Sequence, residues 1–131
     1  MNGAGRVHRV IQLQKGFSMR QGQIWEINLS PTVGEEIKQK HPAVIINDDA
    51  IGVLPVRVIV PMTEWKENFY GAVWMVKIDP NGYNNLTKTS AIDCFQIRSI
   101  STRRFLRKIG SVSPKILNEI KTAVKAVIDA D

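Results

Sequence analysis

His41 stands where a charged run (Glu35, Glu36, Lys38, Lys40) gives way to the apolar stretch Ala43-Val44-Ile45-Ile46, with Pro42 between them. Imidazole is the side chain whose unperturbed charge changes between about pH 5 and 8, so a histidine held at the mouth of a rigid strand can take or give a proton. The other reading is an exposed loop histidine. Thr63 follows Val60-Pro61-Met62 and precedes Glu64 and Trp65. Its hydroxyl can donate to a phosphate oxygen, or it closes a strand. Trp65, Phe69, Tyr70 and Trp74 interleave with Lys66 and Lys77, a pattern that stacks bases and contacts phosphates or else builds a core or dimer cluster. Arg98, Arg103, Arg104, Arg107 and Lys108 could track a nucleic-acid backbone or form a solvated face. The adjacent acids Glu35-Glu36 and Asp48-Asp49 read as solvated loop carboxylates. No Gly-rich phosphate loop or nucleophile elbow is present. One cysteine and two histidines give no zinc-ligand spacing, so neither a metal cage nor a cofactor is expected. Cys94 reads as a small buried hydrophobe.

These groups need a scaffold, and 131 residues with 44% apolar content allow one domain with one modest core. The net charge of +6 is uneven: residues 1–21 and the segment from Arg98 onward are basic, while 22–97 is slightly acidic. Basic ends favour an anionic partner such as nucleic acid. No apolar run approaches the roughly 20 residues of a membrane span. The opening lacks the apolar core of a signal peptide, so the expected compartment is the cytoplasm. Residues 1–18 show no sustained period and are taken as a flexible N-terminal extension or expression remnant, leaving 19–131 as the domain.

Trp25, Ile27 and Leu29 alternate with Glu26 and Asn28, the period of a half-buried strand. Ala43–Asn47 is apolar on both faces and is expected to be central. Val56–Val60 is a third strand, which Pro61 should confine to an edge or bulge. Ala72–Ile78 and Ser90–Ile97 supply a fourth and fifth, and Thr102–Leu106 a short helical turn. Ser113-Pro114 is a helix start, and Ile116, Leu117, Ile120, Val124, Val127 and Ile128 mark one helical stripe to about Ala130. Five short strands and a helix give an α+β domain on a strongly bent sheet or barrel.

Particular residues add a resemblance. Gly22-Gln23-Ile24-Trp25, Pro31-Thr32-Val33-Gly34-Glu35-Glu36, His41-Pro42-Ala43-Val44-Ile45-Ile46, Val60-Pro61-Met62-Thr63 and Gln96-Ile97-Arg98-Ser99-Ile100 resemble, in order, blocks of the MazF/PemK toxin family. The resemblance covers roughly residues 20–130. It implies a small SH3-like β-barrel with about five main strands and a C-terminal helix, acting as a homodimer. It also implies a metal-independent, sequence-selective endoribonuclease that cuts single-stranded mRNA and is inhibited by a cognate antitoxin protein. DNA would be met only through the antitoxin complex, and no membrane is involved. In such enzymes the ribose 2′-hydroxyl attacks the adjacent phosphate, leaving 2′,3′-cyclic phosphate and 5′-hydroxyl ends.

Carried over position by position, Thr63 falls on the family's active-site threonine and Glu36 on the glutamate of its P-T-x-G-x-E loop. Position 41 departs, since the family usually has arginine there. A histidine suits acid/base work better and clamps phosphate less well. The catalytic candidates are therefore His41, Thr63 and Glu36. Lys38, Lys40, Trp65, Lys66, Gln96 and Arg98 are candidates for RNA contact. Phe95 departs as well, where some relatives carry an acid, and Asp93 lies two positions earlier on what should be the same strand face. Two alternatives follow from these departures: a non-enzymatic toxin that binds a protein target such as DNA gyrase, and a degenerate RNA binder that has lost cleavage.

Overall fold

The structure, a computed structural model, describes residues 18–30 and 39–131. The expected N-terminal extension, all but its last residue, and the candidates Glu36 and Lys38 lie outside the described residues.

Seven strands form among the described residues, two more than the sequence suggests: β1 (Gln23–Asn28), β2 (Lys40–Ile45), β3 (Val56–Glu64), β4 (Met75–Ile78), β5 (Ser90–Asp93), β6 (Arg98–Ser101) and β7 (Phe105–Ser111). The helix α1 (Pro114–Val127) follows. The sheet is antiparallel, in the order β4-β5-β3-β2-β1-β7, with β6 paired to β3. Its end strands β4 and β7 do not pair with each other, so it is a bent open sheet and not a closed barrel. Ser113 caps α1 as expected, its hydroxyl accepting the Ile116 N–H at 3.2 Å. Other boundaries need correction. The strand from Ser90 stops at Asp93 and turns through a 3₁₀ segment, Cys94–Gln96, before β6 begins. Only Thr102–Arg104 is helical in the segment read as a turn, and Phe105 then opens a full strand. β4 starts at Met75, three residues late.

Alternation splits the apolar side chains between two faces. Ile24, Val44, Val60, Met62, Ile92 and Cys94 pack under Ile120 and Ala123 of α1. Ile27, Ala43, Ile45 and Ile59 face the other way, against Met19, Ile100 and Phe105, with Trp25 and Leu29 at the margin. β2 is thus central and buried on both faces, as its sequence suggests. β1 carries the expected Trp25–Ile27–Leu29 face, but its other face is covered too: Ile24 and Asn28 are both buried.

Pro61 neither ends β3 nor puts it at an edge. β3 pairs with β2 as far as Ala43↔Pro61 and with β5 from Met62↔Ile92 onward. Pro42 and Pro61 both lack an N–H, so the β2–β3 ladder runs short of donors at this point. β3 changes partner there, and the two strands part.

Candidate active site

By alternation along each strand, His41 lies on the face of Ala43 and Thr63 on the face of Pro61, each two residues beyond the last β2–β3 pair. Because the strands have parted, a cleft of about 380 Å³ opens between them. His41, Thr63, Asp93 and Gln96 supply its polar wall, and Leu29, Met62, Phe69 and Met75 its apolar one. His41 and Thr63 are exposed at the ends of buried strands, which fixes their backbones while leaving their polar tips to solvent. A larger groove of about 710 Å³ lies between β4 and α1, but its polar groups (Lys77, Lys115, Asn118, Glu119, Thr122) include no histidine.

The corner after β5 brings two more groups in. Asp93 caps the 3₁₀ turn, one carboxylate oxygen accepting the Phe95 N–H at 3.1 Å and the other the Gln96 side-chain amide at 2.8 Å. Asp93 and Phe95 therefore do not share a strand face, contrary to the sequence reading. Phe95 is turned outward, where it meets Trp74 edge-on at 6.3 Å.

Trp65, Lys40, Lys66 and Arg98, the other described candidates for RNA contact, are outside the cleft lining. Trp65 is half-buried, edge-on to Phe69 at 5.6 Å and to Tyr70 at 5.2 Å, with the Lys77 ammonium 5.3 Å from its ring centre. Phe69 lines the cleft and Trp65 does not. Lys77 donates to the Tyr70 hydroxyl at 3.1 Å, and that bond above all holds its pKa above the ordinary value. Lys40 and Lys66 are exposed, on β2 and just after β3. Arg98 lies in a neighbouring groove of about 300 Å³ with Ser30, Ser99 and Arg104, which shares Leu29 with the cleft. The described structure thus collects His41, Thr63 and Gln96 in one place, with Arg98 next to it. Sequence reading missed the bond between Asp93 and Gln96. Its signal was present in an acid placed to cap the turn that follows it.

A family model described as "PemK-like, MazF-like toxin of type II toxin-antitoxin system" matches residues 20–128. The chain belongs to this toxin family. Among curated PemK/MazF relatives, endoribonuclease MazF9 of Mycobacterium tuberculosis is 32% identical over 117 residues, covering 85% of this chain and 97% of its own. Endoribonuclease PemK of Escherichia coli is 28% identical over 129 residues, covering 97% and 94%. Of solved structures, a mycobacterial endoribonuclease in complex with its cognate antitoxin superposes with a TM-score of 0.69 at 18% identity, covering 86% of this chain and 96% of that one. M. tuberculosis toxin MazF-mt6 gives 0.67 at 19% identity, covering 83% and 98%. The fold of the family is therefore that of this chain. No helix among the described residues is long and apolar enough to cross a membrane.

Proposed function

We propose that this PemK/MazF-family protein is an endoribonuclease toxin that cuts single-stranded mRNA at the cleft between His41 and Thr63. The observation that carries the reading is the cleft where β2 and β3 part, whose lining holds both an acid/base group and a hydroxyl donor. The names of its relatives, endoribonucleases that match nearly end to end, support the same activity. They do not favour the gyrase-binding or degenerate alternatives.

The step needs no group that the chain and its substrate lack. The ribose 2′-oxygen forms a bond to phosphorus, and the bond from phosphorus to the 5′-oxygen breaks. A base takes the 2′-hydroxyl proton and an acid delivers one to the departing 5′-oxygen. His41 fills one of these roles. Thr63 donates to a phosphate oxygen as negative charge grows there. Glu36 orients the reacting groups or completes the acid/base pair. Gln96, Lys40, Lys38, Lys66 and Arg98 contact the RNA on either side, and Trp65 backs the aromatic wall at Phe69. The reaction proceeds without metal, selects a short sequence, and takes place in the cytoplasm. The toxin acts as a homodimer held in check by a cognate antitoxin, and it meets DNA only within that complex. A structural neighbour solved in complex with its own cognate antitoxin supports this partnership.

The test is incubation with a long single-stranded RNA in EDTA, followed by end-group mapping. Discrete cuts leaving 2′,3′-cyclic phosphate and 5′-hydroxyl ends are expected. Absence of cutting by folded protein, with or without Mg²⁺, refutes the reading.

A further inference from the structure

The bond between Asp93 and Gln96 fixes more than a side-chain position. A carboxylate only accepts, so the Gln96 nitrogen must face Asp93 (2.8 Å) and the amide oxygen must face away. Both residues line the cleft with His41 and Thr63. Gln96 therefore offers an acceptor of fixed sense to whatever fills the cleft. A ribose hydroxyl donates and accepts and is present on every nucleotide, so either sense of the amide would serve it. A base edge has fixed donors and acceptors, and there the sense decides.

We propose that Asp93 is a positioning residue for base selection: by fixing the sense of the Gln96 amide, it makes the cleft prefer adenine or cytosine beside the scissile phosphate, whose amino group at C6 or C4 donates, over guanine or uracil, whose carbonyl there accepts. The proposal rests on the nuclease reading and adds to it a residue that sets specificity without touching RNA. The chain's own geometry offers a clean reversal. In Asp93→Asn the side-chain oxygen must stay with the Phe95 N–H, now accepted at 3.1 Å, because only oxygen can accept it. The amide nitrogen of that side chain then faces Gln96 and donates to it. Gln96 must turn over, presenting N–H to the cleft. The cap is kept and the sense is inverted. Adding Gln96→Glu restores an acceptor, since a carboxylate accepts on both sides.

The experiment sequences the cut ends produced from a randomised RNA pool by wild type, D93N and D93N/Q96E, with melting temperatures measured alongside. At one position flanking the cut, wild type favours adenine or cytosine over guanine or uracil. D93N lowers that preference at least about tenfold, because a donor then faces a donor, and melts within a few degrees of wild type. D93N/Q96E returns the wild-type preference. An unchanged cut profile in active D93N overturns the proposal, and so does failure of the double variant to return it. Loss of all cutting by D93N overturns it too, since that assigns Asp93 to folding or to the chemical step. Failure of wild type itself to cut any RNA removes the nuclease reading first and this proposal with it, and the wild-type sample separates the two failures.

Discussion

Gly110 lies on β7 opposite Ile24, under the loop that follows β4. A β-carbon there would stand 2.5 Å from the Tyr83 carbonyl oxygen, 2.6 Å from that of Asn84 and 2.7 Å from the Asn84 carbonyl carbon. Good contacts between heavy atoms begin near 3.5 Å. The backbone at Gly110 is outside the left-handed region, so the effect of adding a side chain is steric. Nor can the loop retreat freely. Tyr83 O accepts the Ser111 N–H at 2.9 Å, and Asn85 donates to Ile109 O at 2.9 Å. The buried Asn84 side chain ties Asn81, Leu86 and Asp79 together at 2.9–3.0 Å. Relief breaks at least the two loop-to-strand bonds, at about 0.5–1.5 kcal/mol each, on top of overpacking at about 1–3 kcal/mol. Gly110→Ala should therefore cost about 2–6 kcal/mol, a large part of the roughly 5–15 kcal/mol a domain possesses. Urea denaturation should show a lower midpoint at unchanged slope, and thermal melting a drop of at least about 5 °C. A variant within about 1 kcal/mol of wild type would show that the loop is not held over β7 and would refute the reasoning.

Three further outcomes are expected. The Arg57 guanidinium, fully buried, donates to the carbonyls of Met19, Gly52, Leu54 and Val56 at 2.7–3.0 Å, and Arg57→Met should destabilise by about 3–5 kcal/mol in chemical denaturation, with faster amide exchange over 50–56. Burial, with help from Asp93, pushes the Cys94 thiol from 9.0 up to about 12. The folded value lies above the unfolded one, so the stability that comes from keeping the thiol neutral is complete below pH 9 and is lost as pH climbs toward 12. Denaturation between pH 8 and 11 should therefore weaken wild type more steeply than Cys94→Ala. His41→Ala should slow single-turnover cleavage by at least about 100-fold, with the melting temperature unchanged.

Much of this architecture is legible in the chain because its buried strands obey simple periods. β2 is apolar at every position from Ala43 to Ile45, and α1 announces itself with Ser113, Pro114 and a stripe ending near Ile128. β7 is not legible: Leu106, Arg107 and Lys108 are exposed, so no alternation marks it. The end of β5 is hidden for the opposite reason, since Ala91, Ile92 and Cys94 are all buried although a 3₁₀ turn begins at Cys94. His41 and Thr63 can each be picked out by residue type and by family resemblance. That they line one cleft follows only from the fold, across 21 residues of intervening chain. Arg57 could not be found from pattern at all, because a buried guanidinium serving backbone carbonyls reads, in sequence, as an ordinary charged strand residue.

If RNA is cut in the cleft between His41 and Thr63, the Thr63 hydroxyl is needed for cleavage. Thr63→Val tests this most directly, because it keeps the β-branched shape that suits a strand and removes only the hydroxyl. Single-turnover cleavage of an RNA oligonucleotide should fall by about 100- to 1,000-fold, with RNA affinity and melting temperature close to wild type. Cleavage at the wild-type rate by the folded variant would contradict the account and place the chemistry elsewhere on the molecule.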